Sequence, residues 1–229
     1  MGPAHAPKRR LVRAGRSRGA VATGLLGGSF NPAHRGHRAI SLAATDALAL
    51  DEVWWLVSPG NPLKADAPDM APLGARAASA HRQARRAPIR VSAIERDMGT
   101  RYTADTLRRL IARYPRRRFV WLMGADNLAD FHRWRDWRGI ARTLPIAVIG
   151  RPGYEAGVRA VRVIGWLRRF VRPPGQAKRW TRWSAPAILI LRLPPDPSSA
   201  TAIRAADPDW HHSPRRQFYR DSLTHRLIS

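Results

Sequence analysis

The sequence predicts an α/β domain with a mostly parallel sheet flanked by helices. Short apolar runs, EVWWLVS at Glu52–Ser58, FVWLM at Phe119–Met123 and AILILRL at Ala187–Leu193, read as buried strands, and segments of helical period lie between them. Polar, glycine-bearing motifs follow several of these strands, and ligands of open parallel sheets sit at the carboxyl ends of the strands. The 229 residues suffice for one well-buried domain and are short for two.

Val21–Leu26 is the first strand, ending at Gly27-Gly28. From His37 to Leu48, Ile40, Leu42, Ala43, Ala44, Ala47 and Leu48 suit one helical face. The strand at Glu52–Ser58 closes in the turn-rich Pro59-Gly60-Asn61-Pro62. A helix is expected from Pro72 to Arg86, with proline at its start, then a strand at Ile89–Ala93. Thr103–Tyr114 is a helix that Pro115 ends, and Phe119–Met123 and Ile146–Ile149 are strands. Residues 154–186, rich in Arg and Trp, read as an irregular insertion, and residues 213–229 as the place of a terminal helix. The rest, from residue 20, reads as a single domain.

Residues 1–19 carry Lys8, Arg9, Arg10, Arg13, Arg16 and Arg18 among Ala, Gly and Pro, and read as a disordered tail. A transit peptide, also Arg-rich and acid-poor, is the weaker alternative. The net charge of +25 usually points to nucleic acid, but only Lys8, Lys64 and Lys178 of the 41 basic residues are lysines. That skew, with abundant alanine, matches the codon bias of a GC-rich genome better than selection for a nucleic-acid surface. The charge still favours anionic small substrates. The absence of cysteine excludes disulfides, thiolate nucleophiles and thiolate metal sites, and fits a reducing, cytoplasmic setting. No apolar run is long enough to span a bilayer.

The most informative string is Gly27-Gly28-Ser29-Phe30-Asn31-Pro32-Ala33-His34-Arg35-Gly36-His37. Paired glycines after a strand let backbone N–H groups approach a phosphate, and the following helix adds free N–H donors and a positive dipole end. His34 and His37 present two imidazoles to one small volume. The helix start disfavours their protonation and a bound triphosphate favours it, so a ligand is expected to make them better donors. Two nearby histidines alone are more often surface side chains. HExxH, Walker A and G-x-G-x-x-G patterns are all missing from the chain.

The whole string resembles the GG-[ST]-F-[DN]-P-x-H-x-G-H signature of the HxGH nucleotidyltransferase superfamily. The resemblance implies a Rossmann-like fold that transfers a nucleotidyl group from a nucleoside triphosphate, with both histidines on the phosphates. Far along the chain, Ser199-Ala200-Thr201-Ala202-Ile203-Arg204 resembles the superfamily's S-x-T-x-[IL]-R motif. Ser199 or Thr201 would cap a helix, and Arg204 would offer a fork of donors to the β- and γ-phosphates.

The middle of the chain resembles the nicotinate-nucleotide adenylyltransferases of bacteria: Pro59-Gly60-Asn61-Pro62-Leu63-Lys64, Arg101-Tyr102-Thr103-Ala104-Asp105-Thr106-Leu107, Gly124-Ala125-Asp126-Asn127-Leu128 with Phe131 and Trp134, and Arg151-Pro152-Gly153-Tyr154. Arg101 stands where that family usually has Ser. This resemblance implies adenylyl transfer from ATP to nicotinate mononucleotide, yielding deamido-NAD and pyrophosphate. His34, His37 and Arg204 would be catalytic. ATP would meet Gly27, Gly28, Ser29, Phe30, Gly124, Asp126, Arg151, Ser199, Thr201 and Ile203 besides those three. The mononucleotide would meet Asn31, Lys64, Tyr102, Thr103 and Trp134, the last by stacking on the pyridine ring. Mg²⁺ would bridge phosphates without a protein side chain. Only the offset from Asp126 favours Trp134 over Trp137, and Thr103 also reads as an ordinary helix cap. The rival readings are the same chemistry on nicotinamide mononucleotide or phosphopantetheine, a nucleic-acid binder, and a catalytically silent nucleotide sensor.

Overall fold

The computed structural model describes residues 20–60, 69–150, 162–192, 198–212 and 219–228. In chain order these form β1 Val21–Gly28, α1 Arg35–Leu48, β2 Glu52–Val57, α2 Leu73–Ala84, β3 Ile89–Ser92, α3 Ile94–Asp97, α4 Thr103–Arg113, β4 Arg117–Gly124, α5 Ala125–Asp130, α6 Trp137–Thr143, β5 Ile146–Gly150, α7 Arg162–Leu167, β6 Val171–Arg172, β7 Ile188–Arg192, α8 Ala200–Ala206, β8 Tyr219–Arg220 and β9 Leu227–Ile228. Short 3₁₀ turns occupy Phe131–Arg133, Arg168–Phe170 and Pro174–Arg182. Every predicted strand is present, with ends within two residues of those expected. The basic tail, Lys64, Arg151 and residues 154–161 lie outside the described residues.

Among the described residues the main sheet has seven strands in the order β3-β2-β1-β4-β5-β7-β6, and every pairing is parallel. Both faces are covered, which explains why the strands read as continuous apolar runs. Neighbouring side chains on a strand point to opposite faces, so Trp54 packs on one side of the sheet with Leu25, Trp121, Val148 and α4. Trp55 packs on the other with Leu26, Leu122, Ile149 and α1. Strand order runs one way from β1 through β2 to β3 and the other way from β4 through β5 to β7. The crevice at such a reversal is where doubly wound sheets bind ligands.

Residues 162–186, expected to be irregular, hold α7, the edge strand β6 and the 174–182 turn. Trp180 is buried there, and its indole N–H donates to the Leu48 carbonyl at 3.0 Å, closing this segment over the end of α1. The expected terminal helix is replaced, in residues 219–228, by an antiparallel ribbon of β8 and β9. Each strand is two residues long, too short for a periodicity to register. Fully buried Asp221 holds the ribbon to β3: its carboxylate accepts from Ser92 Oγ and from the backbone N–H groups of Ala93, Leu223 and Thr224 at 2.7–2.9 Å. None of the described helices is long and apolar enough to cross a membrane.

Asp221→Ala would strand several buried donors. A loss of about 3 kcal/mol is expected, read as a lower urea midpoint.

Candidate active site

The loop leaving β1 turns sharply enough to put Phe30 at φ 50°. Its ring is buried, stacked on Trp55 at 5.1 Å and tilted against His37 at 4.7 Å. Trp55 is fixed in turn by an indole N–H donated to Ser41 Oγ at 2.7 Å. His37 therefore rests on an aromatic wall tied into the core. Gly27 is needed for close approach: a Cβ there would lie 2.5 Å from the Trp121 ring.

The two histidines form a reciprocal cap on α1, which begins at Arg35, two residues earlier than expected. The Gly36 N–H donates to His34 Nδ1, and the His34 N–H donates to His37 Nδ1, both at 3.2 Å. An imidazole nitrogen that accepts a hydrogen bond carries no proton, so each neutral ring is held as the Nε2–H tautomer. The ring centroids are 4.0 Å apart. Burial, then the neighbouring His34, lowers the pKa of His37 to about 3. The ring thus stays neutral at physiological pH and keeps a donor at Nε2, so protonation is not a condition for donation.

The second motif meets the first across 173 residues of sequence, where Arg204 Nη1 donates to the Asn31 carbonyl at 2.6 Å. Ser199 is the N-cap of α8, accepting from the Ala202 N–H at 3.0 Å, while Thr201 is exposed and Ile203 partly buried. Arg204 also pairs through Nε with Asp69 Oδ2 at 2.7 Å. Asp69 had no motif to mark it. The buried Asn31 side chain is engaged at both ends: its amide N–H donates to the Asp69 carbonyl, and its Oδ1 accepts from the Ala71 N–H. The loop is also tied by the Gly28 carbonyl, which accepts from the Ser58 N–H, by the Ser29 carbonyl, which accepts from Arg76, and by the Ala33 N–H, which donates to Ser79 Oγ at 3.0 Å.

On the other side of the crevice, Gly124 is the N-cap of α5, and the backbone of Asp126 lies in that helix's first turn. Trp134 stands edge-on to Trp121 at 6.2 Å and to Phe131 at 5.4 Å, so it is linked to the end of β1 through the Trp121 ring under Gly27. Trp137 also meets Phe131 edge-on, at 5.8 Å, and packs on Trp166 and under the Arg138 guanidinium. The two tryptophans thus share Phe131, and it is Trp134 that also touches Trp121. Tyr102, not Thr103, is the N-cap of α4, with Thr103 the first helical residue. The Arg135 guanidinium lies 4.5 Å above the Tyr102 ring, joining this turn to the Trp134 segment. Behind it, the Thr106 hydroxyl approaches Glu95 Oε1 at 3.1 Å, and burial pushes the Glu95 carboxyl up to about 7. Glu95, Asp69, Arg76 and Arg135 escaped the sequence reading. Arg76 alone left a trace, a charged residue on the alanine-lined face of α2.

His37 has a pH consequence. Its folded pKa lies below the unfolded value, so its stabilising contribution is complete above about pH 6.5 and is lost as pH falls toward 3. His37→Gln is expected to flatten this acid dependence, measured as the difference between urea midpoints at acidic and neutral pH.

Comparison with known proteins identifies the family. Residues 25–206 match the cytidylyltransferase-like family model. A protein of Erythrobacter litoralis named "Probable nicotinate-nucleotide adenylyltransferase" is 62% identical over 208 residues, 91% of this chain and 94% of its own. One of the same name from Cereibacter sphaeroides is 53% identical over 81% of this chain and 97% of its own. The fold also matches that of Plasmodium falciparum nicotinic acid mononucleotide adenylyltransferase, solved with NaAD, at a TM-score of 0.59 and 13% identity over 81% of this chain and 83% of that one. The chain therefore belongs to the nicotinate-nucleotide adenylyltransferase family of cytidylyltransferase-like proteins.

Proposed function

We propose that the chain transfers the adenylyl group of ATP to nicotinate mononucleotide, giving deamido-NAD and pyrophosphate. The observation that carries the reading is the meeting of the two histidines' loop with Arg204 at the strand-order reversal, in a chain of this family. An oxygen of the mononucleotide phosphate attacks the α-phosphorus of ATP in line. A new P–O bond forms, the bond from the α-phosphorus to the bridging oxygen breaks, and pyrophosphate leaves with the electron pair. No protein nucleophile is required, so positioning and charge stabilisation do the catalytic work.

His34 and His37 would donate through Nε2–H to the triphosphate, and Arg204 to its β- and γ-phosphates. The N–H groups of the Gly27–Phe30 loop and of the Ser199–Arg204 segment would add donors. Gly124 and Asp126 would face the nucleoside, with Arg151 on the adenine side. Tyr102, Thr103 and Trp134 would receive the pyridine ring and its carboxylate, with Asn31 and Lys64 toward the mononucleotide phosphate. Mg²⁺ readily takes phosphate oxygens and water. The metal would thus enter on ATP, where it offsets phosphate charge.

The Asp69–Arg204 pair has to open or be shared when the triphosphate arrives. This half-exposed pair is worth at most about 1 kcal/mol, so Asp69→Asn should lower the KM for ATP, by no more than about fivefold.

The direct test is pyrophosphate release and product mass with Mg-ATP and, separately, nicotinate mononucleotide, nicotinamide mononucleotide or phosphopantetheine. Deamido-NAD in clear preference is the expected result, and turnover only with another acceptor overturns the acceptor assignment. His37→Ala should cut kcat by about 10²–10³. Near-normal turnover in that variant removes His37 from the mechanism.

A further inference from the structure

Arg76 lies on the face of α2 that carries Ala77, Ala80 and Ala84, and it is only 2% exposed. Its head group is held by backbone carbonyls. Nε donates to Ala71 O at 2.8 Å, Nη1 to Ser29 O at 2.8 Å and Ser58 O at 2.6 Å, and Nη2 to Pro59 O at 3.3 Å. No carboxylate pairs with it among the described residues. Burying an ion without a counter-ion costs several kcal/mol, which charge-assisted hydrogen bonds offset only in part. An alanine-lined helix face could have been completed by an apolar residue at no such cost.

The carbonyls it gathers come from three segments. Ser29 belongs to the loop that carries the histidines. Ser58 and Pro59 follow β2 directly, at the start of the sequence segment that runs to Lys64. Ala71 lies just ahead of α2, beside Asp69. One planar fork therefore fixes how far the first loop stands from the second. In a trans peptide the N–H points opposite to the C=O. With the Ser29 and Pro59 carbonyls turned toward Arg76, the N–H groups of Phe30 and Gly60 are turned away from it.

We infer that Arg76 is a positioning residue for both substrates, setting the spacing between the loop assigned to the triphosphate and the loop assigned to the acceptor. The inference rests on the adenylyl-transfer reading. Burial lowers the pKa of Arg76 to about 10, so it remains cationic at neutral pH. Its uncompensated charge lies beneath loops that would receive two phosphorylated substrates, which would supply the missing negative charge.

The test compares the wild-type chain with Arg76→Lys and Arg76→Gln, measuring Tm, kcat and KM for ATP and for nicotinate mononucleotide. Lysine keeps the charge but lacks the planar fork that spans several carbonyls. In Arg76→Lys, KM is expected to rise for both substrates and kcat/KM to fall by about tenfold or more, while the protein stays folded at the assay temperature. Arg76→Gln, which also loses the charge, is expected to fall further. A purely structural role would lower Tm and the active fraction but leave both KM values of the folded fraction unchanged. Wild-type turnover with both KM values of Arg76→Lys within about twofold of wild type overturns this inference alone, as does a rise for only one substrate. Both variants unfolded at the assay temperature also overturns it, placing Arg76 in the fold rather than the site. Absence of turnover by the wild-type chain overturns the adenylyl-transfer reading and the inference with it.

Discussion

Covering both faces of a parallel sheet with apolar side chains leaves polar chemistry only the rim where the strands end. Trp54 and Trp55 illustrate the constraint, adjacent in sequence yet buried in opposite layers. Strand order reverses between β1 and β4, so the segments after these strands diverge to opposite faces and leave a crevice between them. The histidine loop follows β1 on one side of it, and α5 with Trp134 follows β4 on the other. The arrangement of the site is thus a consequence of how the core is buried.

Within that frame, precision comes from backbone groups. The histidine rings are oriented by N–H groups of their own turn, and Phe30 and Trp55 support them from behind. Asn31 holds residues 69–71 through both ends of its amide, and Arg76 gathers carbonyls from three segments. Backbone partners suit a rigid site because their positions do not depend on rotamers that must be frozen separately.

This also decides what could be read from sequence. Strands announce themselves through local apolar runs, and the segments carrying the two histidines and Arg204 through their resemblance to family signatures. Asp69 stayed hidden because its partners, the Arg204 and Asn31 side chains, lie in distant segments, and Arg76 left only its alanine-lined helix face as a trace because its partners are main-chain atoms, which carry no residue identity. Trp180 was hidden for the same reason, since its partner is the Leu48 carbonyl 132 residues away. The β8–β9 ribbon was misread as a helix because its order comes from buried Asp221 rather than from any repeating pattern. Thr103 was offered as a cap because threonine is a common one, yet the chain enters α4 at Tyr102, where the Arg135 guanidinium covers the ring.

The contact between Arg204 and the Asn31 carbonyl spans most of the chain. A growing or truncated polypeptide that stops after β7 could form the glycine turn and the histidine cap but would lack the guanidinium opposite them. Full anion-binding capacity would then arise only once α8 is docked. On the proposed adenylyl-transfer reading, nucleotide binding would report on completion of the fold, and ATP would stabilise the finished molecule far more than any fragment of it.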